Sequence, residues 1–89
     1  MRAVITVIGK DAVGIIASVS DCLAKYSVNI VDISQTVLQD MFAMIMIVDI
    51  SKCNVEFTKF VDILTELGKE KSLSIHVQHE DIFNSMHRV

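Results

Sequence analysis

Two apolar faces alternate at the start of the chain. From Arg2 to Ile8, Ala3, Ile5 and Val7 fall on one face of an extended strand, and Val4, Thr6 and Ile8 fall on the other. The period changes after Gly9-Lys10-Asp11-Ala12-Val13-Gly14. Ile15, Ile16, Val19, Cys22, Leu23 and Tyr26 make a one-sided stripe, with Ser18, Ser20, Asp21 and Lys25 on the wet side, so the pattern predicts a helix over 14–26. Residues 29–38 and 42–50 read as strands joined by the short turn Gln39-Asp40-Met41. No residue from Phe42 to Val48 is polar, which marks a central strand with both faces covered. Asn54 reads as the N-cap of a second helix carrying Phe57, Phe60, Val61, Leu64 and Leu67, which ends at Gly68 or at Ser72. Residues 73–79 alternate Leu73, Ile75 and Val77 inward against Ser74, His76 and Gln78. Ile82, Phe83, Met86 and Val89 recur three or four apart after Glu80-Asp81, so a short amphipathic helical turn is expected in the tail, 80–89.

The order βαββαβ predicts an α+β, ferredoxin-like sandwich: a four-stranded antiparallel sheet with both helices on one face. Right-handed crossovers place the first and third strands in the centre and leave the second and fourth as edges. The outer face of the apolar third strand would then meet water in a single copy. Something is expected to cover that face or to extend the sheet.

Length and charge narrow the reading. The 89 residues make one domain and one core, and an apolar content of 52% in so small a unit points to a partner surface, first of all a second copy. A net charge of −3 lacks the basic footprint of a nucleic-acid binder, and the central strands lack the exposed aromatics of an RNA-reading sheet. Six apolar or small residues between Arg2 and Gly9 are too few for a signal-peptide core, and no stretch is long enough to span a membrane, so the cytoplasm is the expected location. Cys22 and Cys53 match no metal or redox spacing and are expected to be reduced, buried or half-buried thiols.

The chemistry-bearing positions suggest binding rather than catalysis. Gly9 and Gly14 have phosphate-loop spacing, but Ile15 and Ile16 stand where the Lys and Ser/Thr should be, which argues against nucleotide hydrolysis. The glycines would permit close backbone approach and φ > 0. Free N–H groups and the dipole at the start of the first helix would attract an anion. Asp11 is a capping or turn residue, or a carboxylate for a ligand ammonium. Asn29 ends a turn, or offers an amide that both donates and accepts. If both lie near that helix start, they could hold a small zwitterion such as an amino acid. His76 and His79, three apart on a strand, point to opposite faces, so no metal site is expected. Asp32, Ser34 and Thr36 read as the solvated face of an edge strand, and Met41, Met44 and Met46 as core or interface filler. No catalytic triad or Arg-bearing anion loop stands out, and neither an enzyme nor a cofactor is expected.

The loop Gly9 to Ile15, Asn29-Ile30 fifteen residues after Gly14, and the element order together resemble an ACT domain, the small amino-acid-sensing regulatory module. Asp32-Ile33-Ser34-Gln35-Thr36, Met44-Ile45-Met46, Gln78-His79-Glu80-Asp81-Ile82-Phe83 and Met86-His87-Arg88 carry a closer likeness to stand-alone single-ACT bacterial proteins, similar to the ACT modules of glycine-cleavage-system regulators. The resemblance covers essentially the whole chain. It implies a ligand held by Asp11, Ala12, Val13, Gly14 and Ile15 of one subunit and by Asn29 and Ile30 of a neighbour. It also implies a homodimer or higher oligomer, often joined through the second strand into an eight-stranded sheet. ACT domains usually regulate an attached enzyme or DNA-binding domain, whereas one ACT-like domain accounts for all of residues 1–89. The expected function is therefore a regulatory amino-acid-binding module. The alternative is a protein-interaction module, without a ligand, acting on a partner enzyme or regulator.

Overall fold

The structure, a computed structural model, describes residues 1–10 and 12–86. In chain order these form β1 (Arg2–Gly9), α1 (Ala12–Lys25), β2 (Asn29–Leu38), β3 (Met41–Asp49), α2 (Phe57–Lys71), β4 (Ser74–His79) and α3 (Glu80–Met86). The strands make one antiparallel sheet in the order β2-β3-β1-β4. β1 and β3 are central, as the right-handed crossovers predict.

Periodicity decides which residues are buried. Ala3, Ile5 and Val7 of β1 and Phe42, Met44, Met46 and Val48 of β3 face the helices. Ile15, Val19 and Leu23 of α1 and Phe60 and Leu64 of α2 close onto them, forming one core between the sheet and the two helices. Ala43, Ile45 and Ile47 of β3 take the other face. Met41, expected in the turn, belongs to β3, so β2 and β3 are joined by Gln39-Asp40 alone, with Gln39 at φ 55°.

The two long helices are each followed by a left-handed residue. Ser27 (φ 59°) follows α1, and the Val28 N–H donates to the Leu23 carbonyl at 3.0 Å. Ser72 (φ 59°, ψ 43°) follows α2, and the Leu73 N–H donates to the Gly68 carbonyl at 2.7 Å. Gly68 therefore lies inside α2 rather than ending it. A Cβ there would come within 2.9 Å of the Leu73 carbonyl oxygen, so the returning chain requires glycine.

Asn54 does not cap α2. That helix starts at Phe57, and Glu56 before it makes no side-chain cap bond. Asn54 instead donates its backbone N–H to the Tyr26 carbonyl (3.2 Å) and its amide to the Lys25 carbonyl (3.5 Å). It serves the unpaired carbonyls at the end of α1, a polar demand that any helix end creates.

The face of the sheet away from α1 and α2 is partly covered. α3 contacts β1 and β4, and Arg2 pairs with Glu80 at 2.8 Å. Val4, which points away from both long helices, is only 3% exposed at this end.

Candidate functional site

At the upper end of the sheet β1 passes into α1. A Cβ on Gly9 would lie 2.5 Å from the Leu73 Cδ2 and 2.8 Å from the Ile15 Cδ1. The missing side chain lets the first turn of α1 close onto the strand. No glycine among the described residues has positive φ, so close approach, not left-handed geometry, is what glycine supplies here. Ala12 opens α1, and Gly14 is partly exposed. Val13 is 81% exposed, while Ile15 points into the core at 2%. Ile15 can offer a ligand only its backbone. Asp11 lies outside the described residues.

Asn29 occupies the other end of the sheet. It pairs with Asp49, which pairs in turn with Arg2, whereas Gly9 pairs with Phe42. Seven residue steps along β1, from Arg2 to Gly9, separate the two rows, about 24 Å at ~3.4 Å per step. The expectation that Asn29 lies near the helix start is thus corrected for a single chain. The crossover through α1 makes β2 run parallel to β1, so the start of β2 sits beside the start of β1. Ile30, next to it, is half-buried against the core.

Asn29 lines a polar hollow of about 320 Å³ with Ser27, Asp49, Ser51 and Lys52. None of these partners stood out in the sequence. They come from the α1–β2 turn, the end of β3 and the β3–α2 turn, and only the strand register brings them together. The Ser51 N–H donates to the Asp49 Oδ1 at 2.9 Å, and its hydroxyl donates to the same oxygen. These two bonds hold the Asp49 carboxyl below its ordinary value, so it is charged at neutral pH.

A wider groove of about 740 Å³ runs between α1 and α2, floored by Cys22, Tyr26 and Leu67. Its rim is solvated Lys, Asp and Glu, the ordinary furrow between two helices lying on one sheet. Asn29, Ile30 and the residues at the start of α1 do not line it. Burial pushes the Cys22 thiol up, which makes it a poor nucleophile. Cys22 and Cys53 are both free and half-buried.

The histidines separate as expected. His76 is on the outer face, while the ring of His79 packs on Phe57 with centroids 4.3 Å apart. His87 lies outside the described residues. Among the described residues no three His, Cys, Asp or Glu side chains converge on a metal position. No described helix is long and apolar enough to cross a membrane. Asp32, Ser34 and Thr36 are exposed on one face of β2, beside Ile47, Ile45 and Ala43.

An antiparallel sheet ordered β2-β3-β1-β4 with two helices on one face is the ferredoxin-like fold, here built as in ACT domains. The ACT domain profile matches residues 2–78, and the chain belongs to the ACT domain family. It is 56% identical to the UPF0237 protein of Clostridium acetobutylicum, over all of both chains. The solved ACT domain protein of Streptococcus pneumoniae is 41% identical over 93% of each chain, with a TM-score of 0.81. A glycine cleavage system repressor shares the fold at 24% identity, matching 86% of this chain and 44% of its own, with a TM-score of 0.70. ACT domains are regulatory modules that typically bind ligands.

Proposed function

We propose that this chain is a non-catalytic cytoplasmic regulator that binds an amino acid between two copies of itself. One observation carries the reading: Asn29 and the start of α1 lie at opposite ends of the same sheet. A second copy can bring them together. β2 is a ten-residue edge strand with one side unpaired and Val31, Ile33 and Val37 exposed. Such an edge invites pairing with another chain. Two β2 strands paired antiparallel about their centres set Asn29 of one copy opposite Leu38 of the other, and Leu38 lies at the Gly9 end. The second β2 then stands three strand spacings from β1, about 14 Å at ~4.8 Å each, a gap an amino acid and two side chains can bridge.

In that arrangement the first-turn N–H groups of α1 take the ligand carboxylate, Asp11 takes the ammonium, and Asn29 of the other copy binds either group. The hollow around Asn29 gives room for the ligand side chain. A thermal-shift screen of the twenty amino acids tests this. Ligand at 100 times its Kd adds about 2.7 kcal/mol of stability. Each kcal/mol raises Tm by about 4–8 °C in a domain of this size. No shift with any amino acid at millimolar concentration would overturn the reading.

The second reading, a ligand-free interaction module acting on a partner enzyme or regulator, draws on Ile82, which is 52% exposed on α3. It requires a partner that co-purifies with the full chain and is lost when α3 is deleted.

A further inference from the structure

We infer that the hollow around Asn29 selects amino acids whose side chain ends in a carboxamide, glutamine or asparagine. This rests on the shared site proposed above and names the class of ligand that site takes.

The lining of the hollow excludes most side chains. Ser27, Asn29, Asp49, Ser51 and Lys52 enclose about 320 Å³, with no apolar residue among them. Sites for apolar groups are walled mainly by apolar and aromatic side chains. Leucine or phenylalanine would find no such wall here and would displace water from polar groups without replacing its hydrogen bonds. Glycine and alanine have no polar group to place in the hollow.

Charge narrows the class further. The lining holds one carboxylate, Asp49, and one ammonium, Lys52. The Ser51 N–H and hydroxyl both donate to the Asp49 Oδ1. Outside the lining, the Met1 amino group lies 3.9 Å from the same oxygen. These contacts all fall on Oδ1, so Oδ2 remains as an acceptor. Among the described residues, Lys52 has no ion-pair or hydrogen-bond partner. The hollow thus presents one open acceptor and one open donor, of opposite charge.

A ligand carboxylate would suit Lys52 but meet Asp49. A ligand ammonium or guanidinium would suit Asp49 but meet Lys52. A carboxamide is neutral and carries both functions: its NH₂ donates to the Asp49 Oδ2, and its oxygen accepts from the Lys52 Nζ. Both bonds then involve a charged partner, which makes them stronger than neutral ones. A hydroxyl also donates and accepts, but from one oxygen. The two atoms of a carboxamide span a wider gap, and Asp49 and Lys52 are not paired with each other.

Isothermal titration of the full chain with matched amino acids tests the inference. Glutamate matches glutamine in shape, aspartate and leucine match asparagine, and threonine supplies a hydroxyl. Glutamine or asparagine is expected to bind at least about tenfold tighter than its matched analogues and threonine, the worth of one hydrogen bond to a charged group. Asp49→Asn removes the negative charge from the hollow and is expected to turn the preference to the matching acid. Lys52→Gln keeps Asp49 and is expected to weaken carboxamide binding by a similar factor, and it serves if the first variant fails to fold. Tightest binding by leucine, threonine, or an acidic or basic amino acid overturns the carboxamide assignment and leaves the shared site standing. An order of affinities unchanged in both variants places the ligand side chain outside the hollow and overturns the inference as well. No binding by any of the twenty amino acids overturns both the inference and the shared site.

Discussion

Asn29 pairs with Asp49 across the β2–β3 ladder, in the row where β1 begins rather than the row where α1 begins. An exposed residue at a strand end can be truncated without disturbing the core. Asn29→Ala is therefore expected to fold with an unchanged denaturant midpoint and to lose ligand affinity by about 1.5–3 kcal/mol, the cost of one hydrogen bond to a charged group. Isothermal titration with the amino acid that gives the largest thermal shift measures this. An unchanged affinity would remove Asn29 from the site.

Gly68→Ala should be destabilising although it lies inside a helix. Ala ordinarily gains about 1 kcal/mol over Gly in a helix interior. Here its Cβ would come within 2.9 Å of the Leu73 carbonyl, a backbone atom that can move only with the α2–β4 turn. Overpacking of this kind costs about 1–3 kcal/mol, so a net loss is expected in urea unfolding.

Ser72→Gly should do the reverse. Ser72 holds φ 59° and ψ 43°, where a Cβ is strained and glycine is not. The cap bonds are made by the backbone and survive the change. A gain of about 0.5–1 kcal/mol is expected in urea unfolding.

Asp49 gives stability a pH dependence of known sign. Its folded pKa is lowered, first by the Ser51 hydroxyl and then by the Ser51 N–H. The stabilisation is therefore present above the ordinary carboxylate value and is lost as pH falls through the folded value. Asp49→Asn keeps an acceptor but no charge. Its urea midpoint should fall less than that of wild type between neutral pH and below about pH 4. Parallel curves would show that the Ser51 bonds do not discriminate between charged and neutral Asp49.

The fold could be read from the chain because its information is local. The stripe Ile15, Val19 and Leu23 and the alternation Ala3, Ile5 and Val7 each name a buried face without knowledge of the rest. Features that answer to distant parts of the chain were hidden. Asn54 satisfies carbonyls at the end of α1, and its short polar side chain reads equally well as a cap. An irregularity between Ile30 and Asp32 leaves Val31 48% exposed, and no local pattern announces it. The burial of Val4 needs α3 folded back onto the sheet. The candidate site was legible as residue types and not as a place. The topology itself carried the missing signal, since a βαβ crossover makes β1 and β2 parallel and so separates Asn29 from the helix start.

Subunit complementation tests the shared site most directly. Asp11→Ala and Asn29→Ala chains carrying different tags are co-expressed, and the mixed dimer is purified through both tags. If each site takes Asp11 from one copy and Asn29 from the other, one site of the mixed dimer is intact and the other has lost both groups. Titration should then give one ligand per two chains at wild-type affinity, while each variant alone binds weakly. A mixed dimer that binds no better than either variant would contradict a site shared between chains.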